Sequence, residues 1–366
     1  MKPQNIFLIF LLLVSAFTIS CTKEKVSVNP LPPRSNVPPP PPAVARTLIN
    51  TQLISVGDLS QSRRDMAVVS AGNKIYIAGG LLSPGIYSSR VDIYDVSTNL
   101  WTTAELSRAR SGIATAVLNN KIYFAGGELS FSMFSMFSGR VDIYDTQTNS
   151  WASADLDDIE ALMTGASAGN KVVFASGETA HIYDTSTNIW STAPLSDRPG
   201  SWGPQVSGIA ATVIEQKIYF AGGMDYSDVQ KAIDIYDPYT NTWSTSTLNE
   251  YKGAGAGIAV GNTNYWAGGV TFSYGLSASV EIRNMSTGDI SLPNLFQGNS
   301  HFSAVQKNDT IVFFTGSGKV KNKFDIYAIS SNSWSIGVLR ENIEGAAIIT
   351  VNNTCLLYTS PSPRDS

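Results

Sequence analysis

Lys74-Ile75-Tyr76-Ile77-Ala78-Gly79-Gly80, then Val91-Asp92-Ile93-Tyr94-Asp95, then Thr98-Asn99-Leu100-Trp101 form one phrase that this chain repeats. The first half returns as Lys121-Ile122-Tyr123-Phe124-Ala125-Gly126-Gly127 and as Lys217-Ile218-Tyr219-Phe220-Ala221-Gly222-Gly223. The second half returns within 141–151, 180–190 and 233–243. The period is about 46 residues, and a period of this order built from short strands specifies propeller blades, since one small sheet cannot bury both faces alone. The expected fold class is all-β, a β-propeller of four-stranded blades.

Each part of the phrase has a physical task. A small, apolar run such as Gly112-Ile113-Ala114-Thr115-Ala116-Val117 suits an inner strand a beside the crowded axis. The pairs Gly72-Asn73 and Asn119-Asn120 suit the positive φ of a tight a–b hairpin. Strand b is the Ile-Tyr-Phe run, and its terminal Gly-Gly admits a neighbouring backbone where a side chain would clash. Strand c is Val-Asp-Ile-Tyr-Asp, whose last Asp, with the Thr-Asn that follows, closes the c–d turn through local hydrogen bonds. Trp101, Trp151, Trp190, Trp243 and Trp334 open strand d and are expected to pack between blades. The double glycine, Tyr-Asp pair and spaced Trp resemble the kelch repeat, which implies a propeller fold and leaves the ligand open.

Aligned on the a–b turn, the repeats place the start of strand a near Arg63, Arg110, Glu160, Val206, Lys252 and Asn299. The third repeat has decayed to Ala175-Ser176-Gly177, and the fifth lacks its terminal Trp. A seventh begins at Ile343 and stays in register to Thr354. The expectation is therefore six repeats plus the start of a seventh. Leu53 to Leu59 reads as a lone strand d that closes the seventh blade, because pairing first and last strands removes exposed edges.

Both ends of the chain carry other signals. Lys2 precedes an apolar stretch from Ile6 to Phe17, too short to span a bilayer and suited to a signal-peptide core. Thr18-Ile19-Ser20-Cys21 is similar to a bacterial lipoprotein cleavage box, with Thr18 departing from the usual Leu, and it implies lipidation of Cys21. Several acyl chains there would anchor the protein to a membrane. Residues 22–46 hold eight prolines, five of them consecutive from Pro38 to Pro42, and read as an extended tether of up to roughly 70 Å at about 3.1 Å per residue. At the other end, Cys355 to Asp365 resembles a translated sequencing adapter and no blade strand. The domain reading is thus 1–20 signal peptide, 21–46 lipidated Cys and tether, 47–354 propeller and 355–366 adapter-like tail.

Net charge is −4 with Lys and Arg scattered, so a nucleic-acid partner is excluded. Cofactors, metals and catalytic residues are read as none. The chain has two histidines, His181 and His301, at non-equivalent repeat positions, and no His-Glu-x-x-His run. Gly165-Ala166-Ser167-Ala168-Gly169 matches the serine-hydrolase pattern but falls inside a strand a, where no nucleophile elbow forms. Copper oxidases of the galactose-oxidase type need a Cys-Tyr cofactor, and the mature chain, read this way, has no thiol.

Binding is expected on the b–c and d–a loops, which vary from blade to blade while the a–b and c–d turns repeat. The second b–c loop, 128–139, carries six large apolar side chains, among them Phe131, Phe134 and Phe137. Arg198 and Trp202 in the third d–a loop, and Tyr226 and Asp228 in the fourth b–c loop, join them. Arg63, Arg110, Glu160 and Lys252 occupy matching places and are expected either to ring the channel mouth as a ligand site or to form a solvated rim. The leading reading is a monomeric, membrane-tethered, exported propeller that binds a protein or glycan through this face. One alternative is a mutarotase or isomerase acting on sialic-acid-like sugars through Arg63, Arg110, Glu160 and Asn299. A second is the targeting domain of a longer enzyme or adhesin.

Overall fold

The computed structural model describes residues 46–50, 57–130, 136–157, 162–196, 208–224, 229–253, 255–271, 275–301, 303–314, 319–340, 342, 347–352 and 354–358. The signal segment, Cys21, the proline-rich segment, Glu160, Arg198, Trp202, Tyr226, Asp228, Phe131 and Phe134 lie outside them. Among the described residues every regular element is a strand. Six antiparallel sheets run a-b-c-d from the axis outward. The first blade is Ala67–Ala71, Lys74–Ala78, Arg90–Asp95 and Leu100–Glu105. The second is Ala114–Leu118, Lys121–Ala125, Arg140–Asp145 and Ser150–Asp155. Strand a of the remaining four is Thr164–Ala168, Ala210–Ile214, Ala256–Val260 and Ser303–Lys307. Each begins four residues after the position expected from the sequence, so the register is right and the charged residues belong to the loop before the strand.

A seventh, two-stranded unit, Ala347–Val351 with Thr354–Tyr358, stands between the sixth blade and the first. Seven inner strands therefore surround the axis. The tail expected to resemble no blade strand contributes the second of these strands. Leu356 occupies the place of Tyr76 and packs with Ile75, Ile77 and Tyr94 of the first blade. Leu357 faces the other way, toward Phe314 and Phe324 of the sixth. Period-2 alternation of apolar side chains is all that this position requires.

The repeated residues do what their chemistry demands. Asp95 accepts from the N–H groups of Ser97 and Thr98 at 2.9 and 3.3 Å, and Tyr94 Oη donates to Asn99 Oδ1 at 2.8 Å, so the c–d turn is closed locally. Trp151 lies against Phe124 and Tyr144, whose ring centroids are 6.0 and 4.8 Å away, and joins the core that the second blade shares with the first. In the fifth blade, Ile290 pairs with Arg283 where Tyr94 pairs with Trp101. At Gly222 the backbone has φ +70°, and a Cβ would sit 2.0 Å from the carbonyl oxygen of Lys252. Only glycine accepts that approach.

The N-terminal edge differs from expectation. Residues 53–56 of the expected lone strand lie outside the described residues, and Gly57 to Leu59 form no strand. Instead Thr47–Asn50 runs parallel to the outer strand of the sixth blade, Ser333–Val338. Arg46, assigned to the tether from sequence, belongs with the propeller.

Candidate functional site

The strand-a loops carry cations inward. Arg63 is 1% and Arg110 0% exposed, and Lys252 is also buried, so these three form neither a charged ring at the channel mouth nor a solvated rim. The Arg110 guanidinium pairs with Asp142 Oδ2 at 2.7 Å and donates to the carbonyls of Gly126 at 2.9 Å and Phe124 at 3.1 Å, and to that of Arg140. Arg63 pairs with Asp92 at 2.7 Å and donates to Ile77 O at 2.9 Å. Lys252 donates to Ser279 O at 2.9 Å. Burial pulls the Arg110 guanidinium down to about 10 and lowers Arg63 and Lys252 as well, against the pull of their carboxylates.

In the first two blades the acid of strand c is the partner of the cation, whereas Glu281 of the fifth pairs with Arg283; in each of these blades the acid has a second task. Its carboxylate accepts a backbone N–H from the loop that arrives from the preceding blade. The bonds are Ser60 to Asp92 at 3.2 Å, Ser107 to Asp142 at 3.3 Å, Ser196 to Asp234 at 2.8 Å, Asn249 to Glu281 at 2.7 Å and Phe296 to Asp325 at 3.1 Å. A buried carboxylate held by a cation and an N–H is satisfied rather than available for chemistry. Sequence reasoning gave this first Asp of Val-Asp-Ile-Tyr-Asp no role. The signal was present only in part: strand c carries Asp or Glu where the preceding loop carries Arg63, Arg110 or Lys252, and also where it carries Val206 or Asn299. Where that loop carries Glu160, strand c carries His181. His181 is buried in the third blade, as a packing role requires.

Among the described residues that line the axial space, none is titratable. About 410 Å³ of space there is lined by small residues of strands a, including Val69, Ala116, Ser167, Thr212 and Ile258. Ser167 of the serine-hydrolase-like motif donates to Val117 O within this wall, and Gly165 to Ala168 of the motif are strand, with Gly169 in the a–b turn. Among the described residues no cluster of three His, Cys, Asp or Glu side chains is placed to hold a metal.

The b–c and d–a loops share one end of the ring. The third blade turns from b to c in the two residues between Ser176 and Thr179, whereas the first and second insert small hairpins, Leu81–Ser83 with Ile86–Tyr87 and Glu128–Ser130 with Met136–Phe137. Phe137 is half-buried opposite Glu128, while Met136 is 59% and Ile86 57% exposed. Leu82, Leu276 and Val320 on b–c loops, and Leu162 and Tyr251 on d–a loops, are also exposed. Lys231 lies 4.7 Å from the Tyr251 ring centroid. Arg108 borders a groove between the first two blades with Ser107, Arg140 and Asp155. The opposite end carries Tyr239, and Leu100 and Ile189 open strands d there singly, one to a blade.

The kelch motif matches residues 62–105, 109–154 and 206–246, which are the first, second and fourth blades. An F-box/kelch-repeat protein of Arabidopsis thaliana is 37% identical over 75 residues, 20% of this chain and 18% of that protein. The match thus spans under a fifth of that relative's length. The solved structure of YjhT is similar in fold, with a TM-score of 0.56 at 15% identity, covering 77% of this chain and 99% of that one. Kelch motifs on a propeller of six four-stranded blades are therefore shown.

Proposed function

We propose that this propeller is a binding scaffold that holds a protein partner against its b–c/d–a loop face. One observation carries the reading: exposed aliphatic side chains, Leu82, Ile86, Met136, Leu276 and Val320, stand on loops at that single end. Apolar tips gathered on a rigid ring are the surface that protein association desolvates, and Met in particular adapts to its partner. Sugars prefer flat aromatic platforms, and Tyr251 alone is an exposed aromatic of this face among the described residues. The mutarotase reading loses support, because Arg63 and Arg110 spend their donors on Asp92, Asp142 and backbone carbonyls. The sequence of residues 1–46 further supports an exported lipoprotein anchored through Cys21 to the bacterial cell envelope, with the proline-rich segment as spacer.

The test is affinity capture with quantified partners. Ile86→Asp with Met136→Asp is expected to weaken each specific partner about tenfold or more, as loss of apolar anchors does. Tyr239→Asp on the opposite end is expected to leave capture unchanged. Loss with Tyr239→Asp, or retention with the double variant, overturns the assignment of the face.

A further inference from the structure

The sixth blade, like the fourth with Val206, lacks the loop cation that forms the buried ion pair of the first two blades. The position held by Arg63, Arg110 and Lys252 in the first, second and fifth blades is Asn299 in the sixth, buried and uncharged. Strand c, Lys323–Ala328, nevertheless keeps its acid, Asp325, only 3% exposed. A buried carboxylate with no cation carries a large desolvation cost. Its cation comes from outside the repeat: Arg46 pairs with Asp325. Arg46 also donates to the carbonyl of Asn294 and stands 5.2 Å from the centre of the Trp334 ring, with 13% of its side chain exposed.

Besides Arg46, the strand that follows is held by backbone pairing. Thr47–Asn50 pairs with Ser335 to Val338 along the outer edge of the blade. Leu48 and Ile49 are 61% and 42% exposed, so apolar burial contributes little to its docking. No other blade among the described residues carries a fifth strand. We infer that Arg46 is the missing ion-pair cation of the sixth blade, supplied from the N-terminal side, and that Thr47–Asn50 is a strap docked on that blade through backbone pairing and this one side chain. Arg46 is thus a positioning residue, and the strap and the acid of strand c depend on one another.

The experiment uses the full chain and reads trypsin cleavage at the Arg46–Thr47 bond together with amide exchange of residues 47–50. Asn299→Arg offers Asp325 a cation from within its own blade, as Arg110 does for Asp142. Cleavage and exchange are expected to accelerate about tenfold or more, because a displaced strap opens locally without global unfolding. Asp325→Asn and Arg46→Ala are expected to accelerate exchange of 47–50 in the same way, while amides of the second and fourth blades keep their protection. If Asn299→Arg does not fold, Asp325→Asn and Arg46→Ala decide alone. Unchanged exchange of residues 47–50 in these variants overturns the inference.

Discussion

Arg110→Met isolates the energetic role of the buried pairs. Methionine keeps most of the side-chain volume, so the cavity contribution stays small and the loss is electrostatic. The substitution strips Asp142 of its cation at 2.7 Å and takes donors from the carbonyls of Gly126, Phe124 and Arg140, in a site where Arg110 is wholly buried. Breaking a buried pair from one side costs about 3–5 kcal/mol, whereas a solvated rim arginine would cost within about 0.5 kcal/mol. Asp142→Leu added to Arg110→Met removes the stranded carboxylate, and its remaining cost is the orphaned N–H of Ser107 and the carbonyls, about 1–3 kcal/mol. The double variant should therefore be more stable than the single one, a sign that additivity forbids. Reversible guanidinium unfolding followed by tryptophan fluorescence measures both. A single-variant cost under about 1 kcal/mol, or a double variant less stable than Arg110→Met, refutes the pairing as a structural device.

Two further expectations concern acid and the membrane. Asp95, Asp145 and Asp184 lie below the ordinary carboxylate range, held first by the Ser97 hydroxyl, the Thr148 N–H and the Lys171 ammonium respectively. Their contribution is present above about pH 4 and lost as pH falls through the folded values. Asp325 has the opposite sign: burial outweighs Arg46 and the Phe296 N–H and raises it from 3.8 to about 6, so its contribution is present at pH 4 and lost as pH rises through 6. Stability profiles of Asp325→Asn against wild type should thus converge or cross in the variant's favour, by on the order of 2–3 kcal/mol, between pH 4 and 7; parallel profiles contradict it. Cys21→Ser should shift the exported chain from the membrane to the soluble fraction and abolish fatty-acid labelling, and labelling that persists rejects the anchor.

The architecture was legible because its determinants are local and repeated. Tyr94, Asn99 and Asp95 meet within one c–d turn, so a single copy of the phrase predicts the contact. The Arg110–Asp142 pair was missed for the opposite reason: its partners come from separate strands, and an isolated arginine before a strand looks the same whether it points in or out. The strand pairing of Thr354–Tyr358 was not legible because a strand b beside two apolar neighbours asks only for alternation, which Leu356 and Leu357 supply without the Ile-Tyr-Phe vocabulary. Loop chemistry remained the least predictable, since its exposure depends on which side of a short hairpin faces solvent, as with Met136 against Phe137.

The acids of strand c, seen together, make a collar. Each grips the incoming chain at the foot of a d–a loop, and nearby the second glycine after strand b binds the loop of the following blade, as Gly80 N–H does with Arg110 O at 2.9 Å. Everything above that collar is relieved of holding the ring closed. Loops of any length and chemistry can then be exchanged blade by blade, so recognition on this ring can be rewritten in segments while the collar beneath stays the same.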